Sequence, residues 1–245
     1  MEGFARLGVT CMLDRTSPTC LLISGGLDSG CLLHQFLSRG ARVFPLYLRC
    51  GLRWEAAELH WLRRFLRAVR SPRLLPLQVA ALPLQAVYGA HWSLTGRRVP
   101  GAASADRAVY LPGRNALLLS VSAILCAQRG VSTIALGLLK GNPFGDASPG
   151  FLRQMAACLT QALDHPIRIL TPLRSMRKAH VIRLARTMPL ALTFSCLQPR
   201  GLRHCGRCNK CAERRHAFAR AGIADPTRYA SRDTSIFSTG RRGRK

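Results

Sequence analysis

The sequence predicts an α/β fold in which helices cover both faces of a parallel sheet. Short runs rich in Val, Ile and Leu lack strict alternation, which is typical of strands buried on both faces. Helix-like runs separate these strands, and this order favours a parallel sheet. The predicted strands are Cys20–Ile23, Val43–Leu48, Leu74–Val79, Thr133–Leu136 and Ile167–Leu170. The predicted helices are Gly30–Ser38, Glu55–Ala68, Asn115–Gln128 and Phe151–Leu163.

A glycine turn, Ser24-Gly25-Gly26-Leu27-Asp28-Ser29, follows the first predicted strand and leads into the first predicted helix. The N-terminus of a helix presents unpaired N–H groups, and its dipole favours a di-anion such as pyrophosphate. The two glycines would let phosphate oxygens approach the main chain, since no Cβ is in the way. The sequence therefore predicts phosphate binding at the carboxyl edge of the sheet. A purely structural strand-to-helix turn is the alternative.

Size and charge set the broad class of the protein. A chain of 245 residues fits one α/β domain with an appendage. Lys and Arg number 37 against 11 Asp and Glu, for a formal charge of +26, so nucleic acid is an open partner class. The basic residues are spread along the chain without a readable nucleic-acid motif, and an Arg-biased composition is the alternative. Because acids are so scarce, each of the 11 carboxylates is worth individual attention.

The termini and the apolar segments predict a soluble cytoplasmic protein. Met1–Asp14 mixes charged with apolar residues, unlike a secretory signal. The longest apolar stretch, Ala116–Ala127, is too short to span a bilayer. Two long connections, Tyr88–Leu111 and Lys140–Pro149, are expected to be binding loops or disordered segments.

The C-terminal part of the chain carries a candidate metal site with C-x-x-C spacing. Its four cysteines are Cys196, Cys205, Cys208 and Cys211. Four thiolates match a closed, tetrahedral Zn²⁺ site of structural type. An iron–sulfur cluster and a redox dithiol are the alternatives. The neighbouring His204 is expected to be an exposed loop residue rather than a ligand.

The glycine turn resembles the SGGxDS signature of the PP-loop ATP pyrophosphatases, which cleave ATP between the α- and β-phosphates and transfer AMP. The element Tyr110–Asn115, which reads YLPGRN, and the Cys-rich end add a second resemblance. In this order, over residues 19–230, the motifs are similar to those of the 7-cyano-7-deazaguanine synthases. The resemblance implies an adenine nucleotide alpha-hydrolase-like (PP-loop) domain at 1–190 and a zinc-binding segment at 191–230. The Ser-, Gly- and Arg-rich composition at the end of the chain predicts a basic flexible tail at 231–245.

The implied activity is ATP-dependent conversion of 7-carboxy-7-deazaguanine and ammonia to the nitrile through adenylated intermediates. Its cofactors would be ATP, Mg²⁺ and Zn²⁺. The expected partners are the small deazaguanine substrate and ammonia, with a homodimer and nucleic acid left open and no membrane.

The resemblance also assigns roles within the glycine turn. The main-chain N–H groups of Gly25, Gly26 and Leu27, with the hydroxyls of Ser24 and Ser29, would hold the pyrophosphate. Asp28 would face Mg²⁺, and its alternative role is to cap the following helix.

Four residues outside the turn receive roles from the same resemblance. Lys178 would be a catalytic lysine that faces the phosphates, with a solvated helix residue as the alternative. Arg114 and Asn115 belong to the predicted substrate site, where Arg114 would clamp a phosphate or the substrate carboxylate; a surface salt bridge is its alternative. Asp146 would recognise N–H groups of the purine-like ring, unless it merely forms a turn.

Three departures from the family pattern keep other functions open. Arg49–Glu55 replaces a Tyr-Gly-Gln-Arg-His-like segment, Ala147–Gly150 stands where Arg and Glu are expected, and His180 stands where a glutamate usually follows the lysine. The open alternatives are a tRNA-modifying PP-loop adenylating enzyme, a related deazaguanine-ligating enzyme and an inactive nucleotide- or nucleic-acid-binding homologue.

Overall fold

A five-stranded, all-parallel sheet forms the centre of the molecule, in a computed structural model that describes residues 17–231. The strand order is β3-β2-β1-β4-β5. The strands are β1 (Thr19–Leu22), β2 (Val43–Arg49), β3 (Gln78–Ala81), β4 (Thr133–Ala135) and β5 (Arg168–Leu170). The chain runs outward from β1 to β3 and then returns to the other side of β1. Such a reversal opens a crevice at the carboxyl ends of the central strands, β1 and β4.

Helices cover both faces of this sheet, as the sequence predicts. The α-helices are α1 (Leu27–Ser38), α2 (Glu55–Ala68), α3 (Gln85–Tyr88), α4 (Trp92–Thr95), α5 (Arg114–Ala127), α6 (Pro149–Leu163), α7 (Lys178–Leu184) and α8 (Asn209–Ala221). One core cluster joins α1, α2, α7 and α8 through residues such as Phe36, Phe65 and Phe218. A second cluster joins α5 and α6 through residues such as Leu119 and Leu159. The predicted α/β class is confirmed.

The third strand is the clearest error in the predicted boundaries. Leu74–Val79 was expected to be a strand, but β3 begins at Gln78. Leu74 makes only an isolated bridge to Val43. Pro76 lacks an N–H group for the ladder, so regular pairing begins only after it. The strand therefore forms a short edge of the sheet.

The two long connections are more ordered than expected. Within Tyr88–Leu111 the chain forms α4, a 3₁₀ turn at Asp106–Val109 and hydrogen bonds to Asn209, which begins α8. Within Lys140–Pro149 it forms a 3₁₀ turn at Gly145–Ala147.

Some predictions concern the ends of the chain. Met1–Asp14 and, apart from Ser231, the proposed basic tail at 231–245 lie outside the described residues. Between residues 17 and 231 no helix has both the length and the apolar character needed to cross a membrane.

Candidate active site and metal centre

The glycine turn lies between the end of β1 and the start of α1, at the predicted crevice. Gly25 has a φ of +75°, and a Cβ added there would lie 3.1 Å from Cβ of Leu62 on α2. Gly26 occupies the N-cap position of α1, and within the described part of the chain no side chain caps this helix. The first N–H groups of α1 therefore lack intrahelical acceptors, as at any helix start. Asp28 does not cap the helix, so that alternative is excluded.

A second glycine approaches the turn from β4. A Cβ added to Gly137 would lie 3.0 Å from both the carbonyl carbon of Asp28 and the main-chain nitrogen of Ser29. Contacts of 3.0 Å are tighter than nine in ten real Cβ contacts, so a side chain here would require the backbone of the turn to shift by a few tenths of an ångström. Sequence reasoning did not single out Gly137, because it contacts a turn that lies more than 100 residues away in the sequence, after the neighbouring strand β1.

Four charged side chains meet beside the turn and form a lysine–carboxylate cluster. Lys178 Nζ lies 3.3 Å from Asp28 Oδ2 and also contacts Glu213 Oε1. Lys210 Nζ lies 2.6 Å from Glu213 Oε2. The structure thus brings the two predicted catalytic residues together and adds a carboxylate from α8. The Asp28 Oδ1 atom is buried without a hydrogen-bond partner in the described residues.

Burial and the neighbouring opposite charges shift the pKa values in this cluster in opposite directions. Burial raises the pKa of Asp28, while Lys178 lowers it. Burial lowers the pKa of Lys178, but the carboxylates of Asp28 and Glu213 outweigh this and raise it above its usual value. Burial also raises the pKa of Glu213, yet Lys178 and Lys210 bring it down to about 2. At neutral pH Lys178 is therefore a cation and Glu213 an anion.

A cavity of about 350 Å³ opens in front of the glycine turn. Its lining includes Asp28 and Lys178, together with Tyr47 of β2, Glu58 of α2 and Arg114 of α5. The Tyr47 hydroxyl donates a hydrogen bond to Glu58 Oε2 at 2.8 Å. Arg114 Nε is buried without a hydrogen-bond partner in the described part of the chain. The cavity can therefore offer a cation, a carboxyl group and the turn's N–H groups to one ligand.

Asn115 and Asp146, the other predicted substrate residues, bond to each other. The main-chain N–H of Asn115 donates to Asp146 Oδ2 at 3.0 Å, and its side-chain amide donates to the Asp146 carbonyl at 3.3 Å. Asp146 thus satisfies an N–H at the start of α5. Its Oδ1 atom is buried with no partner among the described residues. Nearby in sequence, Phe144 stacks on Tyr110 with ring centroids 4.6 Å apart.

The four C-terminal cysteines form a compact, buried cluster. All their ligand atoms lie within 4.8 Å of one another, and the set could hold a metal ion. The Cys205–Cys211 and Cys196–Cys208 sulfur pairs are 3.9 and 4.0 Å apart. These separations are far longer than a disulfide bond. They approach the ~3.8 Å that separates ligands in a tetrahedron of Zn–S bonds of about 2.3 Å.

Main-chain N–H groups surround the sulfurs of this cysteine cluster. The N–H groups of Leu197, Cys205 and Arg207 donate to the sulfurs of Cys208, Cys196 and Cys205, respectively, at 3.2–3.4 Å. Such donors stabilise thiolates and orient metal ligands. The donor set therefore fits a metal ion held by four thiolates.

The expectation that His204 is exposed was wrong. It is 5% exposed, packs against the Phe194 ring and accepts a hydrogen bond from the Ser195 main chain at 3.0 Å. Burial lowers the pKa of His204 to about 3, so it is a neutral acceptor. It orders the segment that enters the cysteine cluster.

Sequence reasoning missed Tyr47, Glu58, Lys210 and Glu213 as site residues. Glu58 and Glu213 belong to the 11 acidic residues of a chain with a charge of +26, and this scarcity is the one signal that could have found them. Nothing in the local sequence identifies Tyr47, because its partner lies on another element.

Comparison with known proteins identifies the family. Residues 19–222 match the model of the queuosine biosynthesis protein QueC. The chain is 33% identical over 222 residues to a 7-cyano-7-deazaguanine synthase of Anaeromyxobacter dehalogenans, covering 86% of this chain and 94% of that protein. It is 34% identical over 224 residues to the synthase of an Azoarcus species, covering 86% and 96%. A solved structure, described as a predicted subunit of tRNA methyltransferase from Methanocaldococcus jannaschii, is similar with a TM-score of 0.46 and 18% identity, covering 69% of this chain and 74% of that chain. On the family match and the curated relatives, the chain belongs to the QueC family of queuosine biosynthesis proteins.

Proposed function

We propose that this chain is a 7-cyano-7-deazaguanine synthase that uses ATP and ammonia to turn 7-carboxy-7-deazaguanine into the nitrile. The observation that carries the proposal is the meeting of the glycine turn, Asp28 and Lys178 at one cavity, in a chain of the QueC family. Relatives that bear this name match nearly their whole length.

The reaction needs a leaving group, because a carboxylate is a poor electrophile. Attack of the substrate carboxylate on the α-phosphate of ATP would give an acyl-adenylate and pyrophosphate. We assign the pyrophosphate to the N–H groups of Gly25, Gly26 and Leu27 and to the hydroxyls of Ser24 and Ser29. Those groups would stabilise the negative charge that develops as pyrophosphate departs.

Asp28 and Lys178 would complete the nucleotide site. The unpartnered Asp28 Oδ1 is an oxygen donor of the type that Mg²⁺ prefers. A bound Mg²⁺ would neutralise phosphate charge. Lys178, a cation fixed between two carboxylates, can turn toward phosphate oxygens once these arrive.

The substrate would occupy the side of the cavity lined by α5. Arg114 has a buried Nε without a partner, which fits a clamp on the substrate carboxylate. Asp146 and Asn115 are not among the described residues that line this cavity. We assign to Asp146 Oδ1, also unpartnered, an N–H of a purine-like ring that extends beyond Arg114, with Asn115 holding Asp146 in place.

We assign the cysteine cluster to a structural Zn²⁺ ion, because four thiolates would leave no open coordination position. The ion would fix the segment 191–230 against the domain at 1–190. ATP use and reduced cysteine ligands both fit a cytoplasmic protein. A homodimer stays a prediction.

Incubation of the purified chain with ATP, Mg²⁺, ammonium and 7-carboxy-7-deazaguanine tests the proposal, with mass spectrometry of the product. Nitrile formation, with AMP and pyrophosphate released only when that substrate is present, is the expected result. Release that requires tRNA and falls steeply with salt would instead identify a tRNA-modifying enzyme, which the charge of +26 keeps as the second candidate. A different conjugate would identify a related ligase, and no release would identify an inactive homologue.

A further inference from the structure

Glu58 is the carboxyl group of α2 that faces the cavity, and nothing above gives it a role. Its side chain lines the same cavity as the glycine turn. Its main-chain carbonyl oxygen lies 3.5 Å from the position of a Cβ added to Gly25. Helix α2 therefore packs directly on the turn, and this contact fixes Glu58 beside the predicted phosphate site.

Each element around Glu58 contributes a polar group. Tyr47 of β2 donates a hydrogen bond of 2.8 Å, Arg114 of α5 supplies a positive charge and Glu55 of α2 a negative one. Burial raises the pKa of Glu58 to about 7, with the Tyr47 hydroxyl and Arg114 opposing that rise and Glu55 adding to it. A carboxyl group in this state can take up and release a proton near neutral pH.

The other acids near the cavity are already engaged. Among the described residues that line it, Asp28 and Glu58 are the two carboxyl groups. Asp28 pairs with Lys178, and Glu213 is held as an anion by two lysines. In residues 17–231 Glu58 has the Tyr47 hydroxyl as its hydrogen-bond partner and takes part in no salt bridge.

We propose that Glu58 is the residue that removes protons from the reacting nitrogen in the amide- and nitrile-forming steps. This inference rests on the proposed function and deepens it. It names a catalytic residue that the sequence patterns did not indicate.

The proton balance of the two steps defines what Glu58 would do. Ammonium first gives a proton to the Glu58 carboxylate, and the ammonia formed attacks the acyl-adenylate. The C–N bond forms, the C–O bond to AMP breaks with its electron pair leaving on AMP, and the nitrogen loses one more proton.

In the second step the amide oxygen attacks the α-phosphate of another ATP and expels pyrophosphate. The nitrogen then loses its two protons in turn, as the C–O bond to AMP breaks and the nitrile forms. Glu58 would pass each proton to solvent before it accepts the next.

Glu58→Gln tests the role, because it keeps the shape and the Tyr47 hydrogen bond but removes the proton acceptor. Formation of the acyl-adenylate moves no nitrogen proton. The variant should therefore keep substrate-dependent exchange of labelled pyrophosphate into ATP to within about threefold, while nitrile formation falls about 100-fold or more. The pH profile of any remaining nitrile formation should lose its acid limb.

Tyr47→Phe provides a second, independent readout. The Tyr47 hydroxyl stabilises the charged form of Glu58 and lowers its pKa. Its removal should raise that pKa and move the acid limb of the nitrile profile to higher pH, with pyrophosphate exchange preserved.

Three results would overturn the assignment. Glu58→Gln could form the nitrile at the rate and with the pH profile of the parent, or it could lose pyrophosphate exchange and nitrile formation to the same extent. The third result is a Tyr47→Phe variant in which the acid limb of the nitrile-formation profile does not move. A parent chain that shows no exchange at all would overturn the proposed function itself. The two failures are thereby distinguishable.

Discussion

Lys178 Nζ lies 3.3 Å from Asp28 Oδ2, so the glycine turn and the first turn of α7 carry opposite charges in contact. The Lys178 side chain is 17% exposed and the Asp28 side chain 26% exposed. Glu213 of α8 contacts the same lysine. These three residues therefore link α1, α7 and α8 at the place where the proposed chemistry needs a fixed cation.

Lys178→Met should lower substrate-dependent pyrophosphate exchange about 100-fold, because one preorganised charge on the phosphates is lost. The charge of Lys178 lowers the pKa of Asp28, so its loss should raise that pKa and shift the remaining activity toward higher pH. Exchange rates from pH 5.5 to 9 would measure both effects. Arg186→Met, at an exposed position of the chain, is the control and should behave like the parent. Normal exchange in Lys178→Met would contradict the assigned role.

Glu213 should make the free energy of unfolding of the chain depend on pH in the acidic range. Its pKa falls from an ordinary 4.5 to about 2 in the folded chain, so its stabilising effect is complete above pH 4.5 and is lost as pH falls toward 2. Glu213→Gln should reduce the free energy of unfolding at pH 7 by about 2 kcal/mol. The difference from the parent should shrink below pH 4.5, as urea unfolding at several pH values would show. An equal difference at pH 7 and pH 2.5 would contradict this account.

The glycine turn and the cysteine cluster could be found from the sequence because each is local. All turn residues lie within Ser24–Ser29, and the cysteines lie within Cys196–Cys211. Neighbours in sequence are then neighbours in space, so a short pattern carries most of the geometry. The sheet could be predicted for a related reason, since its buried strands are short apolar runs.

The missed features depend on contacts between distant segments. Helix α8 carries many charged residues, and most of the apolar residues on its buried face are small. It packs because Phe218 joins the core and Arg214 bonds to Thr193 and Thr227. Glu213 meets Lys178 only through that packing. The roles of Glu58 and Tyr47 likewise depend on how α2 lies against β2. No local pattern encodes such pairs.

Gly137→Ala should displace the backbone of the glycine turn, although Gly137 is not part of the turn. The added methyl would lie 3.0 Å from the backbone of Asp28 and Ser29, and backbone cannot move aside as a flexible side chain can. We expect pyrophosphate exchange to fall at least about tenfold, because small displacements of positioned groups are costly in catalysis. Gly150→Ala is the matched control: its Cβ would meet nothing within 4 Å, so it should keep exchange unchanged. Equal activity of the two variants would show that the turn tolerates the displacement.

Cys208→Ser should release the metal and destabilise the chain, while Cys158→Ser should do neither. Cys208 is buried within a sulfur cluster whose members lie within 4.8 Å of one another, whereas Cys158 is exposed and lies apart. A serine hydroxyl is a poor substitute for a thiolate ligand, and loss of a structural zinc removes folding energy directly. Elemental analysis of the purified chains measures the first effect and thermal unfolding the second. About one zinc per parent chain and less in Cys208→Ser is expected. Iron with sulfide in the parent would instead assign the cluster to iron–sulfur chemistry, and unchanged metal in Cys208→Ser would remove this cysteine from the ligand set.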